Sequence, residues 1–283
     1  MVKRVITGVV LLAIVGILIA LQGWYLRVGV LFMALVSFYE IFNAFKNKGM
    51  HAVRWPGFLF CVLAFASVAF EAELAFIGES PVLISLVTCA MLGIISVVLK
   101  GKPDFDAIVA TVFPMIYPGI FYVMFMSLQN LEGRGVTTLA LLMAILMSAM
   151  NDTFALFVGK AIGKRKLIPG ISPNKTVAGS VAGIITSAVF AVAIPLIFEA
   201  ADIKLNGVEG AAQLAPVWAF AIFGVVAGVI SQLGDLTASL VKRYCGIKDY
   251  GKIIPGHGGM MDRLDAILFS TAACYIFFVL MGH

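Results

Sequence analysis

Long apolar stretches separated by short polar ones set the pattern of this chain. A membrane-spanning helix takes about 20 mostly apolar residues. Nine stretches of about that length occur: Val5–Leu21, Leu26–Phe45, Gly57–Phe76, Val82–Leu99, Ala107–Leu128, Thr137–Val158, Val177–Phe198, Pro216–Gly234 and Leu264–Met281. They predict an all-α, polytopic integral membrane protein of about nine helices. A single membrane domain over 1–283 is expected, with N-terminal helices in 1–135 and C-terminal helices with the main polar loops in 136–283. No gap is long enough for a soluble domain; the longest run from Gly159 to Thr176 and from Asp235 to Arg263. Lys3 and Arg4 lend the first stretch the look of a signal peptide. No small-x-small cleavage site follows it, so it reads as a retained helix.

Composition supports the same class. Of 283 residues, 61% are hydrophobic and 12% charged, and the mean hydropathy is +1.05. A soluble domain carries about 25% charged residues, so this chain cannot cover a water-facing surface of its size. The net charge of +5 is too small to imply nucleic acid, and none is expected as a partner. Placement of the positive charges says more than their sum. With the N-terminus inside, 17 of the 20 Lys and Arg fall in inside segments, leaving Arg27, Arg134 and Lys204 outside. His283 then lies outside. Trp24 and Trp218 fall at outer boundaries and Trp55 at an inner one, as aromatic belts do. Cys61, Cys89, Cys245 and Cys274 form no CxxC pair and read as small core residues. Gly159/Gly163, Gly179/Gly183 and Gly224/Gly228 have the spacing of close helix contacts.

Ionisable groups inside a bilayer cost about 2.5–3.5 kcal/mol each on insertion scales and are usually functional. Most charge here lies in loops, with two exceptions: Asp152, after Asn151 in the sixth stretch, and Asp235, directly after Gly234 at the end of the eighth. The segment that follows holds Asp235, Ser239 and Lys242 at spacings of four and three, one face of a continuing helix. Asp262 and Asp265 share a face at the start of the ninth. Between them a loop carries Pro255 and five glycines, Gly246, Gly251, Gly256, Gly258 and Gly259. A glycine-rich backbone can turn N–H groups toward an anion. Four carboxylates (Asp235, Asp249, Asp262, Asp265) and five basic groups thus converge on one membrane face. Mg²⁺ binds through one or two carboxylates plus substrate phosphates, and Lys and Arg neutralise the remaining phosphate charge. The set predicts phosphoryl or nucleotidyl transfer rather than a charged loop held by ion pairs.

These residues carry a resemblance. Ser239-Leu-Val-Lys242-Arg243, Lys248-Asp249, Pro255-Gly256-His257-Gly258-Gly259 and Asp262-Arg263-Leu264-Asp265 resemble the C-terminal motif of the phosphatidate cytidylyltransferase (CDP-diacylglycerol synthase) family. Asn151-Asp152-Thr153-Phe154-Ala155, Gly159-Lys160, Gly163-Lys164 and Ile171-Ser172-Pro173-Asn174-Lys175-Thr176 resemble a second stretch of it. Ala178 and Ala238 stand where many members carry Glu.

The resemblance implies transfer of CMP from CTP to the phosphate of phosphatidic acid, releasing pyrophosphate, in phospholipid biosynthesis. A lipid phosphate oxygen attacks the α-phosphorus, and no covalent enzyme intermediate is needed. The resemblance implies Mg²⁺ held by Asp235 and Asp262, with a second cation in the same site. Asp249 and Asp265 follow as further ligands or as groups orienting Lys242, Arg243 and Arg263. Asp152, Ser172, Lys175, Thr176, Ser239, Lys248, His257, Gly258 and Gly259 are the expected substrate contacts. His257 reads as a triphosphate contact or a loop-shaping group rather than a base, because the attacking phosphate is already anionic. Lys160, Lys164, Arg165 and Lys166 read either as attractors of anionic headgroups, worth about 1 kcal/mol each, or as ordinary positive-inside anchors. A homodimer and a bacterial inner membrane, with the site facing the cytoplasm, are also expected. Two rival functions fit the architecture: a CTP-dependent polyprenol or phytol kinase, and a cation-coupled transporter using Asp152 and Asp235. No P-loop, GxSxG or HExxH motif is present.

Overall fold

The computed structural model describes residues 13–71, 73–74, 81–131, 134–201, 214–254 and 258–282. The described helices are α1 Gly23–Asn47, α2 Trp55–Ala69, α3 Pro81–Val98, α4 Phe105–Pro114, α5 Phe121–Ser127, α6 Arg134–Ile162, α7 Val177–Ala200, α8 Val217–Tyr244 and α9 Met261–Leu280. Among the described residues seven helical stretches are long and apolar enough to cross a bilayer, with α4 and α5 counted as one over Phe105–Asn130. The chain is an integral membrane protein of helices, as its hydropathy predicts.

Two of the nine predicted stretches, the third and the fifth, differ, and one, the first, is only partly described. The first is helical over residues 13–21, and its start lies outside the described residues. The third ends early. Helix α2 has 15 residues, about 22 Å at 1.5 Å per residue, shorter than a bilayer core of about 30 Å. Its backbone leaves the helical region at Phe70 (φ −118°, ψ 38°). The fifth stretch is kinked between α4 and α5, where a π-helical segment, Met115–Ile120, carries Tyr117 in extended geometry before a cis Pro118. Proline lacks the N–H that a helix interior needs, so the bend falls there. One departure from an all-helical chain is a two-stranded antiparallel hairpin, β1 Lys166–Ile168 and β2 Ser172–Thr176, pairing Lys166 with Thr176 and Ile168 with Ser172.

The chain divides into two compact units. One comprises 1–127 with 242–263, the other 128–241 with 264–283. The loop of 242–263 therefore clusters with the N-terminal helices, a grouping that hydropathy did not indicate.

In the first unit α1 packs against α2, α4 and α5. Its core is aromatic: Phe38, Phe42 and Phe60 are fully buried, and Phe42 meets Phe38 and Phe58 edge-on at 6.1 and 5.7 Å. Gly57 and Gly119 face these rings where a Cβ would collide with them. Asp104 caps α4, accepting from the Ala107 N–H at 2.9 Å. By contrast α3 turns Leu83, Val87, Met91 and Val98 outward, an apolar stripe suited to lipid.

In the second unit two of the three predicted glycine pairs are helix contacts, whereas Gly163 of the third lies just past the end of α6. Gly179 and Gly183 of α7 lie against Ala155, Gly159 and Asn151 of α6. Gly224 and Gly228 of α8 lie against Ala188, Ser187 and Ile184 of α7. The close approach lets buried polar side chains meet. Asn151 donates to the Gly228 carbonyl (2.8 Å), and Gln232 donates to Asn151 Oδ1 (2.8 Å) and to the Ser180 carbonyl (2.9 Å). Phe223 stacks on Phe277 at 4.3 Å between α8 and α9. All four cysteines are free and buried, as predicted.

Candidate active site

Two groups of charged side chains arise from these elements. In the second unit the hairpin returns the chain into α7. Thr176 ends β2 and caps α7, its Oγ1 accepting from the Gly179 N–H at 3.2 Å. Gly159 and Gly163 approach the Thr176 side chain too closely to carry a Cβ, so the glycines of the Gly-Lys repeats seat this turn on the end of α6. Strand β2 thereby presents Lys175. Its Nζ lies 2.5 Å from Asp235 Oδ2 on α8. The contact is an ion pair by distance, and the ammonium makes no hydrogen bond of good angle. Asp152 on α6 lies within electrostatic reach of both Lys175 and Asp235. Three residues from separate stretches of sequence thus form one two-carboxylate, one-ammonium cluster.

The other group lies in the first unit. Helix α8 continues without a break through Asp235, Ser239 and Lys242 and ends at Tyr244. Gly246 closes it at φ 67°, with the Gly246 and Ile247 N–H groups bonded back to the Arg243 and Lys242 carbonyls. The chain then folds over the start of α9, where Ile254 and Gly258 form a single bridge. Asp262 is the node. Its Oδ1 accepts from Lys242 Nζ at 2.8 Å; its Oδ2 accepts from the backbone N–H groups of Tyr250 (2.8 Å) and Gly259 (3.0 Å). The Asp262 side chain is 3% exposed and that of Lys242 13%. The Tyr250 ring lies 5.4 Å from the same ammonium.

The remaining predicted residues are placed less centrally. Arg243, Lys248, Asp249 and Arg263 are exposed, whereas Asp265 is buried, accepting from the Ala266 N–H at 2.8 Å. Ser172 and Ser239 are half-buried. Pro255, Gly256 and His257 lie outside the described residues, and with them the role expected of His257.

Sequence reasoning passed over Glu40. It counted only Asp152 and Asp235 as acids within apolar stretches, yet Glu40 sits inside Leu26–Phe45. Glu40 is buried at 2% exposure, and its oxygens accept from the Met260 and Met261 N–H groups (3.0 and 2.9 Å) at the start of α9. An acid in an otherwise apolar stretch was the available signal. Gln232 and Ser180 were also passed over, because uncharged polar residues leave little mark on a hydropathy profile.

Each of Asp235 and Asp262 has a lysine as its counter-charge. Among the described residues no three His, Cys, Asp or Glu side chains converge as a metal cage would require. Either carboxylate alone is the kind of ligand that Mg²⁺ takes beside substrate phosphates and water. Lysines beside these carboxylates suit polyphosphate recognition.

The chain matches the cytidylyltransferase family over residues 2–281. It is 33% identical over 287 residues to the phosphatidate cytidylyltransferase of Bacillus subtilis, covering 99% of this chain and 98% of that one. It is 30% identical over 267 residues to the enzyme of the same name from Staphylococcus haemolyticus, covering 94% of each. With phosphatidate cytidylyltransferase 5, chloroplastic, of Arabidopsis thaliana it shares 29% over 305 residues, covering 99% of this chain and 72% of that one. This chain belongs to the cytidylyltransferase family.

Proposed function

We propose that this protein transfers CMP from CTP to phosphatidic acid, giving CDP-diacylglycerol and pyrophosphate. A phosphate oxygen of the lipid forms the new bond to the α-phosphorus of CTP. The bond from that phosphorus to the bridging oxygen breaks, and pyrophosphate leaves with the electron pair. Both reactants are anions, so the work of the protein is to position them and neutralise charge. The observation that carries this reading is Asp262, at the start of α9, bound by Lys242 and by two backbone amides of the glycine-rich loop within a motif whose fixed positions are all filled.

By the family resemblance Asp235 in one unit and Asp262 in the other are each assigned as Mg²⁺ ligands, with Asp249 and Asp265 in support and a second cation expected. Bound there, the metal would supply charge neutralisation at the triphosphate. Lys175 and Lys242, now paired with those carboxylates, are the cations to meet phosphate. Arg243, Lys248, Arg263 and His257 add positive charge and donors near the loop. Asp152, Ser172, Thr176, Ser239, Gly258 and Gly259 complete the substrate contacts. The positive-inside distribution supports a site on the cytoplasmic face, and the Bacillus and Staphylococcus relatives support a bacterial cytoplasmic membrane. A homodimer accords with the family resemblance.

Purified protein in detergent, mixed with phosphatidic acid and radiolabelled CTP, tests the reaction. Label in the lipid phase that comigrates with CDP-diacylglycerol and is lost in EDTA is the expected result. No label from folded, lipid-supplied protein would refute it. Label transferred from γ-labelled CTP to a free polyprenol would favour the kinase instead.

A further inference from the structure

Glu40 is a buried carboxylate to which the reaction above gives no task. A charged group within an apolar helix is costly unless well satisfied. Both oxygens of Glu40 are used: they accept from Met260 and Met261, in adjacent positions at the first turn of α9. Acceptors placed there satisfy N–H groups that have no partner within the helix. The next amide upstream, Gly259, donates to Asp262. Three consecutive amides therefore divide between two carboxylates, one from a distant helix and one from the motif. Gly251 and Gly259 lie so close that a Cβ on either would collide with the Glu40 carboxylate. Two glycines of the loop thus close on the Glu40 carboxylate.

We infer that Glu40 is a positioning residue for nucleotidyl transfer: it anchors the loop and the start of α9, so that Asp262 and Lys242 keep their relative geometry. The inference rests on the cytidylyl-transfer reading for its effect on rate; the anchoring itself does not. A purely structural cap would change only how much protein folds. A positioning residue would change the rate constant of protein that is folded.

The test compares wild type with Glu40→Gln, Glu40→Asp and Gly251→Ala in the full chain, purified in detergent. Gln offers one acceptor where two donors wait; Asp keeps the charge but falls a methylene short; the methyl group added by Gly251→Ala displaces the carboxylate without removing it. Each variant is first matched for folded fraction by size-exclusion profile and thermal unfolding. Steady-state kinetics with CTP and phosphatidic acid follow. Limited trypsin digestion then reads the loop, which carries the exposed Lys248 and Lys252.

For Glu40→Gln the expected loss in kcat/KM for CTP is about 10- to 100-fold, the scale of small misplacements at a reacting centre. The KM for phosphatidic acid should stay near wild type, and cleavage at Lys248 and Lys252 should quicken. Glu40→Asp should recover part of the loss, and Gly251→Ala should reproduce it. Wild-type kinetics per folded molecule in Glu40→Gln, or unchanged cleavage, would overturn the inference. If Glu40→Gln does not fold, Gly251→Ala decides on the same two readouts. Wild type that forms no product, with cleavage still quickened in the variants, would retain the anchor and overturn the reaction.

Discussion

Asp262 gathers a lysine and two backbone amides on two oxygens, so an isosteric amide cannot replace it. Asn must turn an NH₂ toward at least one donor. We expect Asp262→Asn to lower kcat about 100-fold or more while the protein still inserts, measured as CDP-diacylglycerol formed per folded molecule. Asp235→Asn should do the same, since its carboxylate faces Lys175. Near-normal turnover in either variant would remove that residue from the metal assignment. Lys242→Ala has a different signature, because it strands a nearly buried carboxylate. Breaking one side of a buried pair costs about 3–5 kcal/mol. The variant should therefore lose thermal stability together with activity, whereas Asp235→Asn, at a half-exposed pair, should lose activity with less change in stability.

Helix contacts make their own prediction. Where α7 crosses α8, a Cβ at Gly224 would stand 2.5 Å from the Ala188 Cα and 2.6 Å from the Ala191 Cβ. Neither neighbour can swing aside, so Gly224→Ala should separate the helices at a cost of about 1–3 kcal/mol. Gly246 gives the contrast. Nothing lies within 4 Å of its would-be Cβ, but its φ is 67°, so Gly246→Ala costs only backbone strain, about 1–2 kcal/mol. Thermal unfolding in detergent compares the two. The Gly224 variant should also disturb the Asn151–Gln232–Gly228 bonding, which depends on the same close approach. The Gly246 variant should leave that network intact.

Orientation in the bilayer concerns the chain in its entirety. The basic residues at the C-terminal end of α1 and the N-terminal end of α4 should face the cytoplasm, and the Trp218 end of α8 the other side. Single cysteines at Lys48, Lys102 and Trp218 read this against a quiet background, since the four native cysteines are buried. An impermeant thiol reagent on intact cells should label the Trp218→Cys variant alone, and the other two only after permeabilisation. Labelling of Lys48→Cys in intact cells would invert the topology. Turnover should also vanish with EDTA and return with Mg²⁺.

Much of this protein was legible in its sequence, and the reason is locality. A stretch of apolar residues becomes a membrane helix whatever its neighbours, because its backbone must satisfy itself in lipid. Caps and turns are equally local, and Thr176, Asp104 and Gly246 do begin or end helices, but hydropathy and charge carry no cap signal. The charged loop motif, local as well, was visible. The kink at Tyr117 and the early end of α2 were missed, since hydropathy averages over a window and registers neither. The pairing of Asp235 with Lys175, and above all the clasp of Glu40 on amides 220 and 221 residues further along the chain, follow from packing alone. Hydropathy reports how much a residue dislikes water; it does not say which distant partner makes burying a charge tolerable.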